Sequence, residues 1–307
     1  MQLQVNNLQK SFGDNHVLKG ISFSAQSGLA FGLLGRNGSG KTTTIRIIMD
    51  IFAADEGSVT IDGSPVSHSK VKIGYLPEEK GLYPKRVIAE QMAYFGQLRG
   101  LNANDAKNRS EMLLSKLGAH EFYKRKLDTL SKGNQQKIQL AIALLNDPDI
   151  VILDEPFSGL DPVNAKTLKD LVTELVENGK MVLFSSHQMA NVEEFCDDLC
   201  IINQGEIVLS GNLTQIKKGY ARNKIFVSSA TTDLYGILSS NAEIAALTDS
   251  LSQGRLGCTL ALKRSDDKAR LLGILAGKNI DLDSFKVVEP TLEEIFVEKA
   301  GVSNEEL

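Results

Sequence analysis

Cysteine is scarce: the 307 residues contain three, Cys196, Cys200 and Cys258. None sits in a Cys-x-x-Cys pair, and an odd number argues against a disulfide framework and for reduced thiols in the core. Cys196 and Cys200 are four residues apart, and a metal site would need more ligands nearby. Positive charge is not in excess. Lys and Arg number 34 against 38 Asp and Glu, for a net charge of -4. That balance gives no support for a broad nucleic-acid-binding surface, so no nucleic-acid partner is expected. Long apolar runs are missing too. The longest are short stretches such as Ile150 to Leu153, far below a bilayer span. The opening MQLQVNNLQKSFG has neither the basic start nor the apolar centre of a secretory signal. Together these absences predict a cytosolic chain. What is present is ordinary for a soluble globular protein: 42% hydrophobic and 23% charged residues. The length predicts about two domains.

The most informative run is Gly35-Arg36-Asn37-Gly38-Ser39-Gly40-Lys41-Thr42-Thr43. It fits Gly-x-x-x-x-Gly-Lys-Thr. An apolar stretch of strand length, Leu29 to Leu34, precedes it, and Thr43 to Asp50 follows with helical spacing of Ile45, Ile47, Ile48 and Met49. Strand, glycine-rich turn and helix is the context a phosphate-binding loop requires. Gly35, Gly38 and Gly40 permit backbone geometry closed to other residues, so successive N–H groups can point at an anion beside a helix N-terminus. Lys41 offers a cation to β- and γ-phosphates, and the Thr42 hydroxyl can ligate Mg²⁺.

Further along, Ile150 to Leu153 is an apolar strand ending in Asp154-Glu155. Strand ends are where ligands bind in α/β sheets. Asp154 can hold Mg²⁺, and Glu155 is then placed to orient or deprotonate an attacking water. Leu130-Ser131-Lys132-Gly133-Asn134-Gln135-Gln136 precedes a helix over 137–145, one helix upstream of that strand. A Ser and a Gly at a helix start make a second anion site.

The rest of the pattern alternates strands and helices, which implies a parallel sheet. Strand-like stretches cover 3–8 and 17–23 around a polar turn at Gly13-Asp14-Asn15. Residues 87–146 are helical by spacing, 162–177 is a helix, 181–185 and 199–203 are strands, and Gln204-Gly205 turns into 206–209. Composition shifts near Lys217-Lys218-Gly219. Beyond it the order strand (224–227), helix (233–238), strand (244–247), strand (259–263), helix (267–275), strand (285–288), helix (292–299) suits a ferredoxin-like βαββαβ unit with a terminal helix. No phosphate, metal or nucleophile motif falls in this region, and the phosphate-binding unit is not repeated.

With these runs in place the sequence resembles the ATP-binding subunits of ABC transporters, over residues 1 to about 215. Their signature is Leu-Ser-Gly-Gly-Gln, and this chain carries a variant of it with Lys132 and Asn134. Ser158-Gly159-Leu160-Asp161 resembles the family's D-loop, His187 its switch histidine, and Phe12 the aromatic that stacks on adenine. The end of the tail, Pro290-Thr291-Leu292-Glu293-Glu294-Ile295-Phe296, is similar to the sodium-export and drug-resistance branch.

The resemblance implies an α/β fold. It has a P-loop NTPase core, an antiparallel β subdomain and a helical signature subdomain (1–218), with a small α+β accessory domain (219–307). It implies ATP and Mg²⁺ as cofactors. ATP would lie on Phe12, Gly35, Asn37, Gly38, Ser39, Gly40, Lys41, Thr42 and Thr43 of one subunit and on Ser131, Gly133, Gln135 and Asp161 of a second, identical or related. Thr42, Asp154 and Glu78 would hold the metal, and Lys41, Glu155 and His187 would serve catalysis. Membrane-spanning permease chains would be further partners, met near 78–85 at the cytoplasmic face of the membrane, and export is the expected direction. Two departures stand out. The family usually has Gln where this chain has Glu78, and Lys132 puts a positive charge in the signature. Two other readings stay open at this point: a soluble ABC ATPase of translation or repair, and an ATP-binding regulatory module with little turnover.

Overall fold

The computed structural model describes residues 1–66, 71–79, 81–220, 222–278 and 280–300. These fall into two compact units, one of Met1–Leu213 with the residues from Ile295 onward, the other of Thr214–Glu294.

The first unit opens with a hairpin, β1 (Gln2–Phe12) and β2 (Asn15–Gln26), turning at Gly13, whose φ of 59° is left-handed. Next come β3 (Ala30–Leu34), α1 (Lys41–Ile48), β4 (Glu56–Ile61), β5 (Ser64–Pro65) and β6 (Ile73–Leu76). A helical stretch follows: α2 (Ile88–Leu98), α3 (Ala103–Lys116) and α4 (Lys132–Ala143). Then β7 (Ile150–Asp154), α5 (Pro162–Glu177), β8 (Met181–Ser186), the short α6 (Met189–Val192), β9 (Asp198–Asn203) and β10 (Glu206–Asn212) complete the run, and α7 (Leu213–Lys218) leads from this unit into the second.

The sequence pattern read 87–146 as one helical region. The chain breaks it where glycines allow left-handed backbone, at Gly100 (φ 85°) and Gly118 (φ 60°). New starts are capped by Asn102, whose side chain accepts the Asp105 N–H, and by Ser131, which accepts that of Asn134.

Strands β2-β1-β4-β5 make an antiparallel sheet. The larger sheet runs β10-β9-β3-β8-β7-β6, parallel from β9 to β6 with β10 antiparallel at the edge. Buried strands β3, β7 and β8 read as continuous apolar runs because both faces are covered. One face, carrying Phe31, Leu33, Ile150, Ile152 and Leu183, shares a core with Ile45 and Ile48 of α1 and Leu3, Val5 and Ile21 of the hairpin. Register places the catalytic edge. Leu33 pairs with Ser185, Asp154 pairs with Ser185 from the other side, and Leu76 pairs with Leu153. The loops after β3, β8, β7 and β6 therefore leave the sheet at one level.

The second unit contains β11 (Lys224–Ser228), α8 (Leu234–Ser240), α9 (Ala242–Leu247), β12 (Thr248–Gly254), β13 (Gly257–Leu262), α10 (Lys268–Gly277) and β14 (Ser284–Val288), and the chain continues into α11 (Leu292–Ala300). Its sheet is antiparallel in the order β12-β13-β11-β14, the ferredoxin-like arrangement expected from the pattern. One element differs. Residues 244–247, expected as strand, are helical, because Asn241 caps Ala242-Glu243-Ile244-Ala245-Ala246-Leu247 by accepting the Ile244 N–H, and the alanines favour helix. The strand begins at Thr248 instead. All three cysteines are buried free thiols, as expected.

Ile152→Ala tests the account of the central sheet. Ile152 is fully buried in β7, and its truncation should lower stability by about 2–5 kcal/mol. Urea unfolding should show an earlier midpoint with an unchanged slope.

Candidate functional site

The phosphate-loop segment connects β3 to α1. Gly35, Gly38 and Gly40 all have left-handed φ, at 149°, 79° and 112°. At two of them space also forbids a side chain. A Cβ on Gly35 would lie 2.2 Å from the Ile202 carbonyl oxygen, and one on Gly40 would lie 2.5 Å from Leu18 Cδ2. The loop is pinned from both sides: the Gly35 N–H donates to Ser186 O (3.3 Å) and the Gly205 N–H donates to Ser39 O (3.2 Å). Gly40 caps α1 without any side-chain hydrogen bond, and the helix's first turn carries no acidic residue. Its N–H groups therefore face an electropositive, uncapped end suited to an anion. Asn37 is exposed at the tip, Ser39 is buried, and Thr42 and Thr43 are half-buried.

Lys41 is buried, and its Nζ donates to Gly35 O (2.8 Å) and Arg36 O (3.1 Å). It also lies 3.5 Å from Glu155 Oε1, both side chains being 6% exposed. Burial lowers the Lys41 pKa. The carboxylates of Glu155, Asp154 and Glu78 oppose that shift, in that order. Exposed Glu78 thus lies within electrostatic reach of Lys41 from the loop after β6.

The two acids after β7 are held in different ways. The Ser185 hydroxyl donates to Asp154 Oδ1. Thr42 Oγ1 donates to the same oxygen and the Tyr75 hydroxyl to Oδ2, each at 3.4 Å. Burial first and the Asp154 charge second push the Tyr75 phenol up to about 12, so it remains a donor. Glu155 adopts φ 50°, uncommon for a residue with a side chain. Its N–H donates to Ser185 Oγ (3.0 Å), and its Oε2 meets His187 Nδ1 at 2.8 Å. Such strained positions cluster at functional sites.

Among the described residues, two of the five buried side-chain atoms without a hydrogen-bond partner lie here: Ser39 Oγ in the loop and Glu155 Oε1 facing it. Buried polar atoms are normally paired. These two fit a site shaped for a phosphate and a water. Thr42 Oγ1 and Asp154 Oδ1, neighbouring oxygens of a hydroxyl and a carboxylate, are the donor types a hard divalent cation takes.

The structure sets the remaining predicted residues in a second group. Ser131 caps α4, and Asp161 caps α5 by accepting the backbone N–H and side-chain amide of Asn164 at 2.9 and 2.6 Å. Those bonds, the backbone one first, lower the Asp161 pKa. Gly133 is buried against α5, where a Cβ would come 2.7 Å from Asn164 Nδ2. The Gln135 amide turns back to Leu127 O and Leu130 O, at 3.2 and 3.0 Å, bracing the loop ahead of α4. Lys132 lines a cavity of about 100 Å³ together with Glu78 and Glu155 of its own chain. Phe12 ends β1 at 47% exposure, edge-on to Phe52 with ring centroids 5.7 Å apart. Motif reading passed over Tyr75 and Ser185. Ser185 carries a signal in hindsight, since it precedes His187 on a strand that must lie beside β7.

Comparison with known proteins follows the same lines. A family model described as ABC transporter matches residues 18–158. A second, described as ATP-binding protein DrrA1-3-like, C-terminal domain, matches residues 211–300. The chain is 39% identical to an ABC transporter ATP-binding protein of Bacillus subtilis, YhaQ, over 97% of its own length and 98% of that protein's. It is 33% identical to the linearmycin resistance ATP-binding protein LnrL of the same organism, with the same coverage of both chains. Among solved structures, an ATP binding subunit of an ABC transporter superposes with a TM-score of 0.65 at 28% identity, covering 71% of this chain and 93% of that one.

Ser185→Ala should leave the buried Glu155 N–H unpaired and release Asp154 Oδ1. Loss of about 1–3 kcal/mol in chemical denaturation is expected, together with slower ATP turnover. An unchanged unfolding curve would place the two acids under other control.

Proposed function

The chain belongs to the ATP-binding proteins of ABC transporters, and on that premise we propose that it is the subunit whose ATP hydrolysis powers export through separate membrane-spanning chains. The observation that carries the reading is the buried approach of Lys41 Nζ to Glu155 Oε1, 3.5 Å apart where β3 and β7 end. One residue belongs to a phosphate-binding loop and the other to a metal-and-water strand end, and they face one space.

In this reading Lys41 exchanges its contacts with Gly35 O and Arg36 O for the β- and γ-oxygens of ATP. The loop N–H groups and the start of α1 take the remaining phosphate charge. Phe12 offers its exposed face to the adenine. Thr42, Asp154 and Glu78 would hold Mg²⁺, which neutralises phosphate charge when bound. Glu155 Oε1 accepts the proton of a water that attacks the γ-phosphorus in line. His187, on the other carboxylate oxygen, holds Glu155 in place and stands beside the transferred group.

Ser131, Gly133, Gln135 and Asp161 form the second half of the site, used in trans. Each ATP is held between the phosphate loop of one subunit and the start of α4 of another, so closure needs nucleotide and hydrolysis opens the pair. Gly133 is packed under Asn164, where a Cβ would come 2.7 Å from its Nδ2, so a glycine is needed at that position. Residues 1–218 act as the ATP-binding domain and 219–307 as an accessory domain.

Permease contact falls at the loop after β6 and the helices behind it. A cavity of about 340 Å³ lined by Tyr83, Arg86, Glu90, Gln91 and Tyr94 supports that placement. Among the described residues no helix is long and apolar enough to cross a membrane. A subunit working from the cytoplasmic face, tethered by its permease, accords with that. The export direction is supported by the resistance function in the name of LnrL.

Lys41→Ala should weaken ATP binding and abolish phosphate release, since it removes the loop's buried cation. Turnover at the unmodified rate would overturn the assignment. Glu155→Gln should bind ATP normally and hydrolyse it at least about a hundredfold more slowly, in line with the loss of a general base. Phosphate release and nucleotide binding, measured on both variants, separate the two roles.

A further inference from the structure

Helix α4 carries two side-chain amides that take no part in the site as described so far. Gln136 Nε2 donates to Pro156 O, the carbonyl immediately after Glu155. Gln139 Nε2 donates to Glu79 O, the carbonyl immediately after Glu78, at 3.4 Å. The two glutamines are three residues apart, on one face of the helix. That face also closes the cavity of about 100 Å³ into which Glu78 and Glu155 look. Gln139 is buried, at 7% exposure, and an amide that leaves water without a partner is costly. The bonds run to the loops after β7 and β6. In the sheet the strands ahead of those loops are paired Leu153 against Leu76.

We propose that Gln136 and Gln139 are positioning residues that tie the signature helix α4 to Glu155 and Glu78 of the same subunit. The inference rests on the roles given to Glu155 and Glu78 above, and adds a route between the two half-sites of one chain. The N-terminus of α4 is built for the nucleotide held by the partner subunit. Its second turn and the start of its third, through Gln136 and Gln139, grip the loops that carry the carboxylates of the subunit's own site. A shift of α4 on engaging the partner's nucleotide therefore moves Pro156 and Glu79, and with them Glu155 and Glu78. Occupation of one composite site sets the hydrolytic geometry of the other. The helix acts through a donor on each amide, not through bulk, so a side chain of equal size without an N–H loses the effect.

The test is steady-state ATP turnover of the full chain, with ATP binding measured separately by a fluorescent nucleotide. The variants are Gln136→Met, which keeps volume and removes the donor, and Gln139→Met. Glu155→Gln is run alongside. Small misplacement of a reacting group costs up to about a hundredfold in rate. Gln136→Met is expected to lower kcat about tenfold or more while ATP affinity stays within about twofold, and to bring the Hill coefficient for ATP towards one. Gln139→Met should show the same split more weakly, and its turnover should depend differently on Mg²⁺ concentration because it acts through Glu78. Unchanged kcat and Hill coefficient in both variants would overturn the proposal. So would a parallel loss of affinity and turnover, which marks a merely structural role. If Gln136→Met fails to fold, Gln139→Met decides by the same criteria. Turnover retained by Glu155→Gln would instead bring down the site reading itself, so the two failures are told apart.

Discussion

Everything in the site depends on parallel strands ending level with one another. β3, β8 and β7 lie side by side, with Leu33, Ser185 and Asp154 in one row. A parallel sheet covered on both faces leaves its chemistry nowhere to go but the strand ends. The phosphate loop, the acid pair and His187 all issue from that row. Ser185 sits in its middle and binds both neighbours on β7: its hydroxyl donates to Asp154 and accepts from the Glu155 N–H. One buried hydroxyl thus fixes the Asp154 carboxylate and the Glu155 backbone together.

The electrostatics follow from that geometry. Lys41 is buried, which lowers its pKa, and the carboxylates around it oppose that shift. Those carboxylates in turn sit in the field of one buried cation and an uncapped helix end. Lys41 leans on its own loop carbonyls and on Glu155.

Much of this was legible in the sequence, and the division between what was and was not has a physical basis. The phosphate loop could be read because its constraint is local: three glycines in nine residues, each adopting left-handed backbone. The strand ending in Asp154-Glu155 and the capping residues Ser131 and Asp161 are likewise decided within a turn or two of chain. Tyr75, Ser185, Gln136 and Gln139 could not be read, because each acts across strands or layers on a residue far away in sequence. The packing of Gly133 under Asn164 is hidden for the same reason. The ferredoxin-like order of the second unit survived a misjudged element. Residues 244–247 are apolar and short, and such a run reads equally as strand or helix until its Asn241 cap is seen.

Glu78 and Lys132 are where this chain departs from the family pattern, and both look into the cavity beside Glu155. Closure of a pair would carry Lys132 towards the partner's nucleotide and leave Glu78 with Glu155 at its own. The central claim is that ATP completes a site which one chain holds only in halves. Its most direct test is the solution mass of the Glu155→Gln protein, measured by light scattering with ATP and Mg²⁺ and again with ADP. The account predicts a doubled mass with ATP and the single-subunit mass with ADP. A single-subunit mass at saturating ATP would contradict it.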